Sequence, residues 1–367
     1  MGIDSKFWRG KRVFLTGHTG FKGSWLALWL HELGAQISGY SLPPPTEPSL
    51  FALTGLESCL EHRLGDVRAT DKLSEAYRQA RPEIVFHMAA QPLISAAYSD
   101  PAGTFASNVM GTVNLLEAAR QYPSVQAIVI VTTDKCYRND ELGKPFVEND
   151  PLGGKDPYSS SKACAELVSQ AYFESFFQCA EVGLATARAG NVLGGGDWSA
   201  HRLIPDAISA FAAGHPVEIR RPEALRPWQH VIDALAGYLI LAQALYTKPD
   251  KFSGGWNFGP DAEDVKPVSW VMDRLVSAWG EASWQSQSQA SFSEAITLSL
   301  DSTKARTELA WQPQLKLHQT LDWTLHWYRG WLMGQDPRQL CLTQIHEYLE
   351  LVQHSMNHIA ETGVPPA

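Results

Sequence analysis

The sequence lacks the features of membrane proteins and of nucleic-acid-binding proteins. It contains no run of eighteen apolar residues, so we expect no membrane span. Basic residues are not in excess: 30 lysines and arginines stand against 39 acidic residues. The resulting formal charge of −9 argues against general binding to nucleic acid or to anionic membranes. Residues 1–11 are largely polar and lead directly into a predicted strand, so we expect no signal peptide.

Cysteine is scarce and irregularly spaced. The five cysteines stand at positions 59, 136, 164, 179 and 341, an odd count without any C-x-x-C pair. We therefore expect neither a disulfide framework nor a zinc site, and free thiols favour the reducing cytoplasm. Twelve histidines occur without an H-E-x-x-H pattern, and we assign no metal site.

The first half of the chain does contain a regular alternation of short apolar runs with helical stretches. The clearest runs are continuous and rich in Val and Ile, which is typical of parallel strands buried on both faces. The alternation predicts an α/β fold with a Rossmann-like, doubly wound parallel sheet. The predicted strands are residues 13–16, 36–41, 61–64, 84–88, 127–132 and 184–187, and the predicted helices are residues 23–33, 71–80, 104–121 and 158–177.

After about residue 190 the pattern changes to helices and a segment rich in proline and arginine, residues 220–227. We predict a dinucleotide-binding domain over residues 1–190 and a smaller, mainly helical C-terminal lobe over residues 191–367, with some exchange of chain between them. Such a lobe would pack over the carboxyl edge of the sheet, where ligands of these folds bind. Its predicted helices are residues 202–213, 231–245, 269–279 and 317–354.

A glycine-rich stretch, Thr16-Gly17-His18-Thr19-Gly20-Phe21-Lys22-Gly23, lies between the first predicted strand and the first predicted helix. In that position a pyrophosphate can rest on backbone N–H groups at the positive end of a helix dipole. We expect Gly17 to form the tight turn, Gly20 to let the phosphates approach, and Gly23 to allow close helix–strand packing. The spacing is G-x-x-G-x-x-G rather than the more common G-x-G-x-x-G.

Tyr158 and Lys162 form the second signal. Residues four apart on a helix share a face, so the phenol and the ammonium are expected to lie side by side. A nearby cation favours the phenolate and should lower a tyrosine pKa of about 10. Such a tyrosine can accept a proton from a sugar alcohol during its oxidation. The alternative is an ordinary surface pair, because Y-x-x-x-K also arises by chance.

Together these motifs resemble the extended short-chain dehydrogenase/reductase superfamily, in its nucleotide-sugar branch. Further matching pieces are Gly65-Asp66-Val67, Met88-Ala89-Ala90-Gln91, and Asn108 in the helix that follows. The resemblance implies NAD as the cofactor. The residues it implies at the cofactor are Gly17, Thr19, Gly20, Phe21, Gly23, Asp66, Val67, Ala89, Ala90, Asn108, Thr132, Tyr158 and Lys162. Asp66 could instead be a helix N-cap or a turn residue.

The end of the fifth predicted strand separates the activities within this branch. It carries Thr133-Asp134-Lys135, where the sugar-nucleotide 4,6-dehydratases have a similar Thr-Asp run and the epimerases do not. Arg226-Pro227-Trp228-Gln229-His230 and Gly194-Gly195-Gly196-Asp197-Trp198 resemble the members that act on CDP-glucose. The resemblance therefore implies conversion of CDP-glucose to its 4-keto-6-deoxy derivative, in the biosynthesis of deoxysugars and lipopolysaccharide.

This reaction assigns expected roles to five catalytic residues. Oxidation at C4 makes the C5 proton acidic, after which a base removes that proton and an acid protonates the departing C6 hydroxyl. We expect Asp134 to be the acid, and Lys135 to be either the base or an electrostatic stabiliser of the enolate. Thr133 would hydrogen-bond the oxygen on C4 beside Tyr158, with Lys162 completing the set.

Arginines of the C-terminal lobe are candidates for holding the diphosphate, because a guanidinium can bind phosphate oxygens through two parallel hydrogen bonds. For the phosphate nearer the sugar we favour Arg226. The full set of expected substrate contacts is Gln91, Asn191, Arg202, Arg220, Arg226 and His230. The alternative is that some of these arginines, Arg220 among them, are solvated surface residues.

Several alternatives stay open at this point. Residues 38–41 offer neither an acidic ligand for the ribose of NAD nor an arginine for the 2′-phosphate of NADP, so NAD follows from the resemblance alone. The substrate could be a dTDP- or GDP-sugar, the activity could be that of a UDP-sugar 4-epimerase, or the protein could be a dinucleotide-sensing regulator. A homodimer or higher homo-oligomer is expected by resemblance, through helices 104–121 and 158–177.

Overall fold

A computed structural model describes residues 2–141, 143–286 and 298–362 of the chain. The strands are β1 Arg12–Thr16, β2 Gln36–Ser41, β3 Glu61–Leu64, β4 Ile84–His87, β5 Ala127–Val131, β6 Gly183–Ala189, β7 Asn191–Leu193, β8 Val217–Ile219, β9 Leu225–His230, β10 Gly254–Phe258, β11 Val265–Pro267 and β12 Trp284–Ser286.

The α-helices are α1 Ser5–Trp8, α2 Phe21–Glu32, α3 Leu50–Leu53, α4 Thr70–Ala80, α5 Ile94–Ser99, α6 Pro101–Phe105, α7 Gly111–Gln121, α8 Pro157–Tyr172, α9 Leu203–Ala212, α10 Val231–Thr247, α11 Pro249–Phe252, α12 Val268–Trp279, α13 Thr303–Glu308, α14 Leu317–Leu332 and α15 Pro337–Thr362. Short π-helical turns at Ala106–Met110 and Phe173–Phe177 continue α6 into α7 and extend α8.

Seven strands form the central sheet in the order β10-β6-β5-β4-β1-β2-β3, and every neighbouring pair is parallel. The residues of β4 and β5 are all buried, as expected of strands covered by helices on both faces. The predicted doubly wound α/β fold is confirmed. The six predicted strands agree with the structure to within two residues at each end.

The part of the chain after residue 190 contains more strand than predicted. β9 lies in the segment read as rich in proline and arginine, and it pairs with β7 and β11. β10 returns to the central sheet and extends it beside β6. Helix α10 also packs on β5 and β6. The division at residue 190 stays a prediction, since elements from both sides of it build the same sheet.

The tail at residues 317–354 is helical, as predicted, apart from one break. The structure has two helices there, α14 and α15, joined by a turn at residues 333–336. Gly334 has a φ of +83°, a left-handed conformation that ends a helix and that glycine adopts readily. Pro337 then begins the next helix at a position where its missing N–H costs nothing.

Within the described ranges, no helix has both the length and the apolar character needed to cross a bilayer.

Candidate active site

The glycine-rich loop joins β1 to α2, and its three glycines have different surroundings. Gly17 has a φ of +78°, and a Cβ at this position would lie 2.7 Å from the backbone nitrogen of Ala89. A Cβ at Gly23 would lie 2.1 Å from the carbonyl oxygen of Gly17, so only glycine lets α2 begin this close to the loop. Beside Gly20 the nearest atom would lie 3.5 Å away, which leaves this side of the loop open.

The start of α2 is suited to an anion. Gly20 is its N-cap residue, and within the described part of the chain no side chain caps the first N–H groups. The hydroxyl of Thr19 is engaged with Ser41 Oγ at 2.7 Å and Leu42 O at 2.9 Å, so it ties the loop to β2. Phe21 opens the helix and is half-buried. The uncapped helix start and the open side of Gly20 fit the pyrophosphate of a dinucleotide.

Asp66 and Val67 follow β3 at the other end of the predicted cofactor site. The Asp66 carboxylate accepts a hydrogen bond from the backbone N–H of Arg68 at 2.9 Å and from its guanidinium at 2.6 Å, and the latter contact lowers the Asp66 pKa. The N-cap of α4 is Ala69, so Asp66 is a turn residue and not a cap. Val67 is buried against Gly111. Contact of Asp66 and Val67 with adenine stays a prediction.

The loop after β4 is held by the helix that carries Asn108. The Asn108 Oδ1 accepts a hydrogen bond from the Gln91 backbone N–H at 2.8 Å, and its Nδ2 donates to Ser161 Oγ on α8 at 2.8 Å. The Gln91 side chain donates to Thr104 and accepts from the Leu93 N–H, so both of its polar ends are used within the loop. Ala89 and Ala90 lie in this loop, half-buried.

Tyr158 and Lys162 lie on one face of α8, near its first turn. Asp156 caps this helix by accepting a hydrogen bond from the Ser159 N–H at 2.9 Å, and Pro157 occupies the first helical position. Both Tyr158 and Lys162 are buried, and the Lys162 Nζ donates to the carbonyl oxygen of Val131 at 3.1 Å. The helix thus begins where it presents both side chains to the end of β5.

The pKa of Tyr158 moves in the direction opposite to the expected one. Burial raises it to about 12, because a phenolate is costly to form away from water. A hydrogen bond with Thr133 and the charge of Arg202 act the other way and only partly offset burial. Burial lowers the pKa of Lys162 to about 8, and Glu166 acts against that shift.

Thr133, Asp134 and Lys135 form a tight turn directly after β5. The Thr133 Oγ1 donates to Asp134 Oδ1 at 2.9 Å, and the Lys135 Nζ lies 3.7 Å from the same oxygen. Asp134 is 1% exposed, and its Oδ2 has no hydrogen-bond partner among the described residues. Since Tyr158 is hydrogen-bonded to Thr133, all five predicted catalytic residues are brought together.

The glycine after β6 makes room for the Asp134 carboxyl. A Cβ at Gly190 would lie 2.6 Å from Pro227 Cγ and 3.0 Å from Asp134 Oδ2. The free oxygen of Asp134 therefore faces the start of the segment that carries Asn191, the first residue of β7.

The predicted substrate contacts of the C-terminal lobe have varied surroundings. Arg202 forms an ion pair with Asp197 at 3.0 Å, and its positive charge acts to lower the pKa of Tyr158. Arg226 is buried and donates to the carbonyl oxygen of Leu225, while Arg220 is half-buried.

His230 is fully buried, and burial lowers its pKa to about 3, so the ring is neutral. Its Nδ1 accepts a hydrogen bond from the Ile232 N–H at the start of α10. The Nε2 therefore carries the proton and has no partner among the described residues. A contact between His230 and a phosphate would have to use this nitrogen.

Two residues of the site were missed by the sequence interpretation. Lys22 lies within the glycine-rich loop, its Nζ donates to Tyr238 Oη at 3.1 Å, and burial lowers its pKa to about 7. Glu166 lies four residues after Lys162 and accepts hydrogen bonds from Thr132 and Arg188. Both had a visible signal: a lysine inside a glycine loop, and a third polar residue continuing the Tyr158–Lys162 spacing.

The profile of the NAD dependent epimerase/dehydratase family matches residues 13–253. The chain belongs to this family. A CDP-glucose 4,6-dehydratase of Salmonella typhimurium is 49% identical over 353 residues, which cover 95% of this chain and 98% of that protein. A dTDP-glucose 4,6-dehydratase of Haemophilus influenzae is 27% identical, with 86% of this chain and 97% of that protein covered.

Solved structures share the fold of this chain. A dTDP-glucose 4,6-dehydratase from Bacillus anthracis in complex with NAD has a TM-score of 0.74 and 21% identity, with 90% of this chain and 100% of that chain covered. An epimerase from Methanothermobacter thermautotrophicus has a TM-score of 0.77 and 22% identity, with 90% of this chain and 95% of that chain covered. The likeness extends over most of each chain, so the fold as a whole is shared.

Proposed function

We propose that this protein is an NAD-dependent CDP-glucose 4,6-dehydratase, which converts CDP-glucose to CDP-4-keto-6-deoxyglucose and water. One observation carries the proposal: Thr133, Asp134 and Lys135 form a single turn in contact with Tyr158, so an acid, an amine and a phenol converge at one point. The Salmonella relative of the stated activity, 49% identical, supports the same substrate.

The glycine-rich loop, the start of α2 and Lys162 are the parts of the chain that we propose to hold NAD. The chemistry that bound NAD supplies is reversible hydride acceptance, first from C4 of the hexose and later back to C6. The chain's own contribution is position: the first backbone N–H groups of α2, which follow Gly20, would hold the pyrophosphate, and Val67 would border the adenine.

Tyr158 is the group placed to take the proton of the 4-hydroxyl as C4 is oxidised, and Thr133 orients the same oxygen. Burial holds the Tyr158 pKa at about 12, so this transfer depends on the positive charges around the phenol. The positive charge of Arg202 is one of these, because it acts to lower the Tyr158 pKa.

Asp134 and Lys135 carry out the elimination. The C5–H bond and the C6–O bond break, a C5=C6 double bond forms, and water leaves. The buried, unpartnered Oδ2 of Asp134 is placed to donate the proton to the departing hydroxyl. The Lys135 ammonium, 3.7 Å from the other oxygen, either receives the C5 proton as a neutral amine or stabilises the enolate as a cation.

The sugar nucleotide is proposed to lie between the sheet edge and the C-terminal lobe. Asn191 directly follows Gly190, the residue beside the Asp134 carboxyl, and Arg226 is the residue we assign to the phosphate nearer the hexose. Preference for cytosine over other bases follows from the Salmonella relative.

We also propose a homodimer or higher homo-oligomer, located in the cytoplasm. Large apolar side chains are exposed on the adjoining elements α5 to α8: Tyr98, Phe105, Met110, Leu167 and Phe176. Exposed apolar clusters of this kind mark protein interfaces, and a second copy of the chain would cover them. The five cysteines are all free, which suits a reducing compartment.

Replacing Lys135 with alanine tests the dehydratase assignment. The Lys135→Ala variant should bind NAD with the affinity of the parent enzyme, because Lys135 lies outside the glycine loop. Turnover of CDP-glucose should fall by at least about 100-fold, and exchange of the C5 proton with solvent deuterium should be suppressed.

The control is Lys155→Ala, which removes an exposed lysine from the loop that leads to α8. This variant should keep the parent rate. Conversion of CDP-glucose by Lys135→Ala at the parent rate would remove Lys135 from the chemistry and leave the dehydratase assignment without its main support.

A further inference from the structure

A buried carboxylate lies one helical turn beyond Lys162. Glu166 is 3% exposed and accepts hydrogen bonds from the Thr132 hydroxyl, from the Thr186 hydroxyl at 2.6 Å, and from Arg188 Nε and Nη2 at 2.9 and 2.7 Å. The donors lie at the end of β5 and on β6, so this one side chain joins helix α8 to two strands of the sheet.

Arg188, the ion-pair partner of Glu166, also contacts the chain just after the 133–135 turn. The Arg188 Nη1 donates to the Tyr137 hydroxyl at 2.6 Å and to the carbonyl oxygen of Glu148 at 2.9 Å. Tyr137 in turn donates to Asn257 Oδ1 at 2.7 Å. Space for the guanidinium depends on Gly255, where a Cβ would lie 2.5 Å from Arg188 Nη2.

The Glu166–Arg188 ion pair therefore holds the chain at two points, Thr132 and Tyr137. The three residues of the proposed acid–base turn, 133–135, lie between these points in the sequence. Lys162 is fixed at the same place, because its Nζ donates to the carbonyl oxygen of Val131, next to Thr132. Tyr158 and Lys162 lie on α8 together with Glu166. The Glu166–Arg188 ion pair therefore connects the 133–135 turn to the helix that carries Tyr158 and Lys162.

Stability alone does not account for such a pair. Moving both charges out of water costs about as much as their attraction returns, and well-packed apolar replacements are often as stable. An ion pair that fixes the geometry of reacting groups affects the reaction rate instead, because a misplacement of about 1 Å can reduce a rate by about 100-fold.

We propose that Glu166 and Arg188 are positioning residues, which set the 133–135 turn against Tyr158 and Lys162 by anchoring the chain at Thr132 and Tyr137. The proposal rests on the dehydratase function proposed above. It predicts that loosening either anchor affects the chemical step and the mobility of the turn while the fold survives.

The test compares three variants with the parent enzyme. Glu166→Leu combined with Arg188→Met replaces the ion pair with apolar side chains, and Tyr137→Phe removes one anchoring hydroxyl while keeping the ring that stacks on Phe146. Thr186→Val is the matched control, because it removes a hydroxyl donor from the same carboxylate without freeing the turn. The measurements are kcat and KM for CDP-glucose, hydrogen–deuterium exchange over residues 132–137, and the melting temperature.

We expect kcat to fall by about 100-fold in the double variant and by about tenfold in Tyr137→Phe, with KM changed by less than about threefold in both. Hydrogen–deuterium exchange over residues 132–137 should become faster in these two proteins. In Thr186→Val, kcat and this exchange should both stay at the parent level. Should the double variant fail to fold, Tyr137→Phe decides alone.

Parent-like kcat and parent-like exchange in Tyr137→Phe would overturn the proposal, as would an equal loss of kcat in Thr186→Val. A parent enzyme that makes no 4-keto-6-deoxy product would count against the proposed function. In that case the exchange comparison by itself decides whether the ion pair anchors the turn.

Discussion

At the scale of single residues, burial governs the charges of the site more strongly than sequence neighbours do. The four-residue spacing of Tyr158 and Lys162 correctly indicated a shared helix face, yet the expected lowering of the Tyr158 pKa is wrong. Spacing indicates which residues are adjacent, whereas desolvation depends on how the folded chain buries them. Burial also lowers the pKa of Lys162 and of Lys22, and no sequence pattern indicated these shifts.

The lowered pKa of Lys162 predicts a pH dependence of NAD binding. A lysine whose pKa is lowered to about 8 is charged below that pH and loses its charge as the pH rises through it. If the ammonium holds the cofactor, the Kd for NAD should rise by about tenfold between about pH 7 and about pH 9.5. Calorimetric or fluorescence titration of NAD over this range measures the effect.

Two variants identify the group responsible for this pH dependence. Lys162→Arg keeps its charge throughout the range, so its Kd should be nearly independent of pH, even if binding is weaker. Lys22→Met removes the other buried ammonium and should retain the pH dependence of the parent. A flat profile in Lys22→Met together with a parent-like profile in Lys162→Arg would assign the titration to Lys22 instead.

At the scale of elements, the sequence predicted the first six strands, which lie where short strand-like runs alternate with helical stretches. β10 was missed because Gly254, Gly255 and Asn257 interrupt its apolar character. β9 was missed because Arg226, Pro227 and His230 interrupt its apolar character, although all three are buried in the structure. The break between α14 and α15 could have been predicted, since glycine and proline both stand there.

The packing of α2 against the glycine loop gives a prediction for this element. Gly23→Ala places a Cβ against backbone atoms of Gly17 and His18, so α2 must move away from the loop. The free energy of unfolding should fall by about 1–3 kcal/mol, and NAD affinity should fall with it. Gly20→Ala meets no close protein atom, so it should leave stability unchanged and weaken NAD binding alone.

Chemical denaturation and NAD titration of the two variants separate packing from ligand approach. Parent-like NAD affinity in Gly20→Ala would show that the pyrophosphate does not approach this side of the loop, and the proposed cofactor site would have to be moved.

At the scale of the whole molecule, we propose that the hexose binds at the carboxyl edge of the sheet and that two copies of the chain associate. Charge and composition argued against binding to membranes and nucleic acids from the sequence alone, and the motif order indicated the family. Sequence could not indicate that a single ion pair ties the 133–135 turn to α8, because Glu166, Arg188 and Tyr137 are distant in the chain and meet only in the folded sheet.

Association through α6–α8 predicts a change of mass on substitution. Leu167 is 54% exposed on α8, and Leu167→Glu should convert the oligomer to a smaller species, because a carboxylate buried in an apolar interface is unfavourable. Met333 is 79% exposed in the turn between α14 and α15, and Met333→Glu is the matched control. Light scattering after gel filtration should show the parent mass for Met333→Glu only. An unchanged mass for Leu167→Glu would place the interface elsewhere.

The most direct test of the central claim is a proton NMR analysis of the product formed from CDP-glucose and NAD in deuterium oxide, run beside dTDP-, UDP- and GDP-glucose. The account predicts that CDP-glucose is converted fastest, to a 4-keto-6-deoxy sugar nucleotide with solvent deuterium at C5. A C4 epimer that keeps its 6-hydroxyl and carries no deuterium, or faster conversion of another nucleotide, would contradict it.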